Sequence, residues 1–154
     1  MINDAEILHA EFELLREELI QKHKELGMKA SGKWIESLEN RSERLSGQLW
    51  GEHYTEQLVN GRGPGKFPPI KMIEKWIYDK GITPEGITIS SLAFLIARKI
   101  AREGTDYFKQ GGTDLIEAVI TPKRIQQIID KVSEFHINSF VSQVTGVFKQ
   151  MAAA

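Results

Sequence analysis

The longest periodic segment of the chain follows Pro122, and it constrains the fold more than any other feature. Apolar side chains recur there with helical periodicity, and we expect them to form an apolar stripe along an α-helix. They are Ile125, Ile128, Ile129, Val132, Phe135, Phe140, Val144 and Val147. The pattern predicts a long helix from Pro122 to about Gln150 that crosses a small sheet, with a far end that a neighbouring subunit would cover.

The length and composition are those of one globular domain, which we assign to residues 1–154. Of the 154 residues, 41% are hydrophobic and 27% are charged. The formal net charge of -1 lacks the positive field that a sequence-independent nucleic-acid binder needs. Any basic function must therefore come from a local patch.

Two further features exclude whole classes of protein. Because the chain has no cysteine, disulfides, thiolate nucleophiles and cysteine-ligated metal centres are excluded. The amino terminus is acidic, and no apolar run approaches the ~20 residues that span a bilayer. We therefore expect a soluble protein without export or anchoring signals.

The first fifty residues predict a helix followed by a hairpin. Residues 4–26 show helical periodicity, and Asn3 or Asp4 can cap this helix while Gly27 closes it. Its inner face is formed by Leu8, Phe12, Leu15 and Leu19. Alternating apolar or small residues over 31–51 predict a half-buried antiparallel hairpin, although the start of this segment suits a helical turn equally well.

Two central helices are predicted after a proline- and glycine-rich loop. Three glycines and three prolines at 61–69 interrupt both helix and sheet patterns. A helix over about 70–80 follows, with Pro69 in its first turn. A second helix starts at the serine pair 90–91 and stops at Gly104. The inner faces of the two helices are formed by Ile70, Ile73, Trp76 and Ile77, and by Leu92, Ile96 and Ile100.

The segment before the terminal helix completes the prediction. Residues 104–114 are expected to form an exposed or mobile loop, and residues 115–120 a short strand or an extended lead-in. The fold class is therefore α+β. A small antiparallel sheet packs with an N-terminal helix, two central helices and a long C-terminal helix.

No pattern in the sequence supports catalysis, a cofactor or a metal. Gly61–Lys66 has the composition of a phosphate loop, but the Walker spacing would need glycine at Asn60 and a hydroxyl side chain at Phe67. The four histidines occur singly, without the i, i+4 pair of a helical metal site. Carboxylates occur at the density of a solvated surface, and no serine lies in a nucleophile-elbow context. We predict no catalytic residue, no cofactor and no metal.

The densest basic cluster is Arg98, Lys99 and Arg102, with Lys109 nearby. On the outer arc of a helix, such a cluster suits an acidic subunit surface, a nucleic-acid backbone or simply solvent. The large aromatic side chains favour core or interface positions over a ligand site. They are Trp34, Trp50, Trp76, Phe94 and Phe108.

A series of short motifs spans about residues 28–105. One is Leu58-x-x-Gly61-Arg62-x-Pro64-Gly65-Lys66-x-Pro68-Pro69. The others are Ala30-Ser31-Gly32-Lys33, Ser37-Leu38, Leu49-Trp50-Gly51, Ile73-x-x-Trp76-Ile77-x-x-Lys80-Gly81-Ile82 and Ala93-Phe94-x-Ile96-Ala97-Arg98-Lys99-Ile100-x-x-Glu103-Gly104-Thr105. In order and spacing they resemble the tail-completion or neck (head–tail joining) proteins of tailed phages, especially forms from crAss-like gut phages and related prophages.

The resemblance implies an α+β fold, a flexible loop around the Gly-Pro-Gly-Lys segment, and assembly into a ring in the neck or upper tail. It implies no catalytic residues. The Arg62–Pro69 loop and the Arg98–Thr105 segment match recurring features of the family, so we take them as candidate contacts. The candidate interface residues are Arg62, Pro64, Lys66, Phe67, Trp76, Arg98, Lys99 and Arg102.

We therefore expect a virion structural protein that joins head to tail as a neck, tail-completion or tail-terminator ring. Its partners would be copies of itself and other neck, portal-proximal or tail proteins, with DNA in the channel nearby and no membrane. It would reside in the virion after assembly in the host cytoplasm. Across the ring contact, the acidic first helix is expected to pair with the basic face at Arg98–Arg102.

Two other classes remain as alternatives. One is a small nucleic-acid-binding or regulatory module that uses a local basic patch. The residues of that patch are Arg62, Lys66, Arg98, Lys99 and Arg102. The other is an enzyme with an unfamiliar site.

Overall fold

Helix α1, Asp4–Glu25, begins with a reciprocal pair of hydrogen bonds in the computed structural model, which describes residues 3–154. The Asn3 side chain accepts from the Glu6 N–H at 3.0 Å, and the Glu6 carboxylate accepts from the Asn3 N–H at 3.2 Å. This capping box satisfies two amides that would otherwise lack partners at the start of the helix. The predicted amino-terminal helix and its cap are confirmed.

The predicted hairpin is present but short. Strands β1, Glu39–Asn40, and β2, Leu49–Trp50, pair antiparallel with Asn40 opposite Leu49. The residues before β1 form helix α2, Lys33–Ser37, which was the helical alternative for this segment. Near the tip of the hairpin, a Cβ on Gly47 would stand 2.0 Å from Phe12 Cε2. A side chain at position 47 would therefore force the ring of Phe12 out of its place on α1.

Helix α3, Thr55–Asn60, precedes the predicted loop, and the central helices α4, Ile70–Asp79, and α5, Ile89–Glu103, follow it. Both caps differ from the prediction. Pro69 is the cap residue of α4 rather than part of its first turn. The Thr88 hydroxyl caps α5 by accepting from the Ser91 N–H at 3.1 Å, so the serine pair lies inside the helix.

The contact between α4 and α5 is built on small side chains. Ile73 and Ile77 pack against Ala93 and Ala97, and both alanines are fully buried. The short alanine side chains let the two helices approach closely. The predicted inner residues of α5 instead lie half-buried at the edges of this contact; they are Leu92, Ile96 and Ile100.

The segment between α5 and the last helix contains helical turns that the sequence pattern did not predict. Helix α6, Asp106–Lys109, interrupts the predicted loop at 104–114. The prediction of a strand or extended lead-in at 115–120 is wrong, because the Ala118 and Ile120 N–H groups donate to carbonyls four residues earlier. Leu115 is fully buried in the main core beside Leu19, Met28, Trp34 and Leu38. The apolar segment at 115–120 therefore attaches this part of the chain to the main core through Leu115.

Helix α7, Pro122–Ala153, confirms the predicted long carboxyl-terminal helix and runs antiparallel to α1. The Glu11 carboxylate lies between Arg124, at 2.9 Å, and Lys131. Ile128 lies between these two positions and is buried against Leu8 and Leu15 of α1, in a cluster that Leu49 of β2 joins. At the far end of the contact, His136 Nε2 stands 3.5 Å from Asp4 Oδ2.

These elements form the predicted α+β fold. Helices make up 62% of the structure, and β1 and β2 form a two-stranded antiparallel sheet. Within residues 3–154, none of the helices is both long enough and apolar enough to cross a membrane.

The Glu11 ion pairs provide a test of the α1–α7 contact. Burial alone would raise the pKa of the Glu11 carboxyl, but the hydrogen bonds and charges of Lys131 and Arg124 outweigh burial and hold the pKa below its ordinary value of 4.5. Because the folded-state pKa is the lower one, this stabilisation is complete above pH 4.5 and is lost as the pH falls through the folded pKa.

We expect Glu11→Gln to lower the free energy of unfolding at pH 7 by roughly 1–3 kcal/mol, because two cations lose their buried partner. The difference from wild type should shrink below pH 4.5 in urea titrations. Glu17→Gln, at an exposed position of the same helix, is the matched control and should stay within about 0.5 kcal/mol of wild type. Equal stability of the two variants would contradict this role of Glu11.

A second titratable group, His23, is buried in the main core. Its ring stacks on Trp34 with centroids 4.5 Å apart, and its Nδ1 atom has no hydrogen-bond partner within residues 3–154. Burial, and after it the charge of Lys80, lowers the pKa of His23 below 6.5. As the pH falls, His23 is therefore protonated at a higher pH in the unfolded chain than in the folded chain. Stability is complete above pH 6.5 and declines as the pH falls toward the folded pKa.

We expect His23→Phe to keep the stacking on Trp34 and to remove this pH dependence. Its unfolding free energy should vary less than that of wild type between pH 7 and about pH 5. His53→Gln changes an exposed histidine and should keep the wild-type slope. An unchanged slope in the phenylalanine variant would show that His23 is not the group responsible.

Candidate functional site

The predicted interface loop at 61–69 is held against α5 and α6 by backbone hydrogen bonds. The Arg62 N–H donates to Thr105 Oγ1 at 2.9 Å, and the Thr105 N–H donates to the Arg62 carbonyl at 2.8 Å. Farther along the loop, the Gly65 N–H donates to the Ala101 carbonyl at 2.9 Å. The segment for which the resemblance implies flexibility is thus attached at two separate places.

The glycines at the two ends of this attachment are required by close approach of the backbone. Gly61 and Gly104 have φ values of +76° and +79°, which favour glycine. A Cβ on Gly61 would stand 2.3 Å from the Phe108 nitrogen, and a Cβ on Gly104 would stand 2.8 Å from the Arg62 carbonyl oxygen. These contacts account for both glycines without a phosphate ligand.

The loop presents an aromatic side chain beside basic ones. Phe67 packs on Phe94 of α5 with ring centroids 5.7 Å apart, and 46% and 47% of the two residues remain exposed. The Arg62 guanidinium donates to the Lys66 carbonyl at 3.1 Å, which holds the loop in a closed curve. Pro64 and Lys66 are exposed on the same loop.

Helix α5 contributes the remaining basic residues on two sides. Arg98 and Arg102 are exposed one turn apart on α5, the helix against which the loop is held. Lys99 lines a groove of about 730 Å³ together with Trp76 and Tyr107. Trp76 also lines a second groove, of about 740 Å³, with Met72 and Pro68. The structure therefore divides the candidate interface residues between the loop-bearing surface and the grooves beside α4.

The basic side chains of this site have no acidic partners within residues 3–154. None of the five candidate cations forms an ion pair there; they are Arg62, Lys66, Arg98, Lys99 and Arg102. Lys109, which the sequence places near this cluster, behaves differently. The Lys109 ammonium donates hydrogen bonds to the carboxylates of Asp106 and Glu103, which raise the pKa of Lys109 and balance its charge locally.

Most carboxylates of α1 are already paired within the subunit. Asp4, Glu11, Glu13 and Glu18 each contact a cation of the same chain. The expected pairing of α1 with the basic face of a neighbour therefore has few free carboxylates to use. The cations of α5 need acidic groups from another surface.

Several apolar side chains on α4, on α5 and between them are exposed, which the sequence pattern did not predict. Trp76 was predicted to face inward, but 41% of it is exposed, which suits its place in the candidate interface. The other members are Met72, Tyr78, Ile82, Ile87 and Leu95. One indication was available: apolar residues on α4 occur on more sides than one contact with α5 can cover.

The geometry is compatible with a contact surface. Grooves lined by apolar and aromatic side chains lie beside unpaired cations, which is the composition of an interface with a polar rim. Among residues 3–154, no three histidine or carboxylate side chains are grouped to hold a metal ion.

We expect Thr105→Val to weaken the attachment of the loop. The variant removes the oxygen that accepts from Arg62 and Phe108 N–H groups, at an expected cost of about 1 kcal/mol in unfolding free energy. Hydrogen exchange at the Arg62 amide should become faster. Thr105→Ser keeps the oxygen and should retain near-native exchange, so equal exchange in the two variants would contradict this role of the hydroxyl.

Comparison with known proteins leaves the site to be interpreted from its own geometry. Family models, curated protein sequences and solved structures gave no match to this chain. The resemblance to phage neck and tail-completion proteins therefore stays a prediction.

Proposed function

We propose that this chain is a virion structural protein that assembles into a homo-oligomeric ring and joins head to tail in a tailed phage. The observation that supports this most is the exposure of large apolar side chains on two separated parts of the subunit. One part comprises the loop-bearing surface at Phe67 and Phe94 and the grooves at Trp76, and the other is the distal half of α7. Monomeric proteins rarely leave contiguous apolar patches of this kind in water.

Two unlike surfaces on one subunit suit a ring. In a ring, one face of each subunit contacts a different face of its neighbour, and the contact repeats until it closes. The formal net charge of -1 limits repulsion between copies that pack closely. The proposed role is therefore docking, and it needs no catalytic residue.

The proposed position of the ring in the virion rests on the motif resemblance over residues 28–105. Neck, tail-completion and tail-terminator rings are the candidate positions, and neighbouring neck, portal-proximal or tail proteins are the proposed partners. The cations at Arg98 and Arg102 would contact acidic groups of such a neighbour. The protein would be found in the neck or tail of the virion, after assembly in the host cytoplasm.

The unpaired cations also support a second candidate, a small nucleic-acid-binding or regulatory module. Five basic side chains on the loop and on α5, which have no acidic partners among residues 3–154, are available to bind phosphates. A DNA-binding role predicts affinity that falls steeply with salt, even where no oligomer forms.

The two candidates respond differently to charge reversal. We expect the wild-type protein to show a fixed oligomer mass by size-exclusion chromatography with light scattering. Arg98→Glu with Arg102→Glu should shift that mass toward monomer, because the contact loses two cations and gains two like charges. Lys71→Glu with Lys123→Glu changes the net charge equally at exposed positions that form no described ion pair, and should leave the mass unchanged.

A monomeric wild-type protein at every concentration and salt tested would contradict the ring. If that monomer binds duplex DNA at 50 mM salt and loses most affinity by 200 mM, the second candidate replaces the first. If the Arg98 and Arg102 reversal leaves the oligomer intact, these cations lie outside the contact.

A further inference from the structure

The distal half of α7 extends beyond the rest of the subunit. The last polar side-chain contact between α7 and α1 joins His136 to Asp4, and α7 continues to Ala153. At 1.5 Å per residue, these 17 residues form a rod of about 25 Å. Every residue from Phe140 to Ala154 is exposed.

The exposed apolar side chains of this rod follow a coiled-coil register. The intervals between them alternate between three and four residues, as at positions a and d of a heptad. These residues are Ile137, Phe140, Val144, Val147 and Met151. Val141 and Phe148 follow the two d positions and widen the seam to positions a, d and e.

The distal seam is not an extension of the face that packs on α1. The proximal face contains Ile128, Val132 and Phe135, and its spacing would continue through Ser139, Ser142 and Gly146. The apolar seam instead restarts at Ile137, only two residues after Phe135. With 3.6 residues per turn, the two seams are roughly 130° apart around the helix. The distal seam is therefore a second apolar surface that points away from α1.

We propose that the distal halves of α7 from several copies of this chain pack in parallel into a helical bundle. Residues 137–154 carry a single charged residue, Lys149, which lies at outer position f. No charges at e or g therefore select a different partner or repel a second copy. The seven apolar residues expose between 36% and 68% of their surface, so the seam is open to a second copy along the rod.

The seam also indicates how many copies meet. Two-stranded coiled coils favour leucine at d, whereas Phe140 and Val147 occupy d here and position e is apolar as well. These choices favour more than two helices. The parallel orientation rests on the proposed ring, in which all copies point the same way along one axis.

The chain has no cysteine, so single-cysteine variants test the bundle directly. Ile137→Cys, Val144→Cys and Met151→Cys place a thiol at three successive a positions. In a parallel bundle each position faces its own counterpart, so all three variants should form disulfide dimers under mild oxidation. Ser142→Cys and Lys149→Cys, at outer f positions, are the controls and should form dimers at least about tenfold more slowly.

The pattern of dimers distinguishes the arrangements. Dimers from only one of the three a positions would indicate antiparallel pairing and overturn the parallel bundle. Equal rates at a and f positions would overturn the seam itself.

Mixed oxidation of Val144→Cys with Met72→Cys tests the other possible contact, in which the distal half of α7 packs into the groove beside α4 of a neighbour. Efficient mixed dimers without self-dimers would replace the bundle with that contact.

A charge in the seam provides a second test that leaves the fold intact. Val144→Asp changes a residue that is exposed in the subunit, so the circular dichroism and unfolding of the body should be preserved while self-association is lost. Ser142→Asp is the matched control at position f and should associate as wild type does. Persistence of the wild-type oligomer in Val144→Asp would reject the bundle but keep the ring. Self-dimers without a closed larger oligomer would keep the bundle but reject the ring.

Discussion

The antiparallel contact between α1 and α7 sets the direction in which the longest helix leaves the subunit. Glu11 contacts Arg124 and Lys131, which lie two turns apart, and Ile128 fills the space between them against Leu8 and Leu15. Charge and packing thus specify the same register for the two helices. A slip of one turn would break at least one of the two ion pairs and shift Ile128 from its place between Leu8 and Leu15, so the position of the distal rod depends on this contact.

The rest of the subunit presents a different surface. The loop at 61–69 is tied to α5 by the bonds of Arg62 and Gly65, and it carries Phe67 onto Phe94. A loop held in this way keeps its exposed groups in fixed positions, which reduces the entropy lost when a partner binds. The subunit therefore combines a fixed, partly basic surface with an apolar rod that carries a single charge, Lys149, and neither is covered within the described residues.

Sequence patterns predicted the elements whose formation depends on residues close together in the chain. Helical periodicity and capping residues gave α1, α4, α5 and α7, and the proline and glycine content gave the loop at 61–69. The segment 115–120 was mistaken for a strand because short apolar runs fit either state, and burial of Leu115 in the main core decides between them. The site was predicted only as a set of residue types. Charge pairing elsewhere in the subunit joins residues up to 120 positions apart, as for Glu11 and Lys131, so no spacing rule shows which cations stay unpaired within residues 3–154.

The central claim is that copies of this chain cover the apolar surface that a single copy leaves in water. Hydrogen exchange of the backbone amides in 137–153, measured across a dilution series, tests it most directly. An isolated helical rod of this length is marginal in water, so its amides should exchange rapidly in dilute monomer and slowly once copies associate. Rapid exchange at every concentration, with the α1-facing half of α7 protected throughout, would contradict the claim.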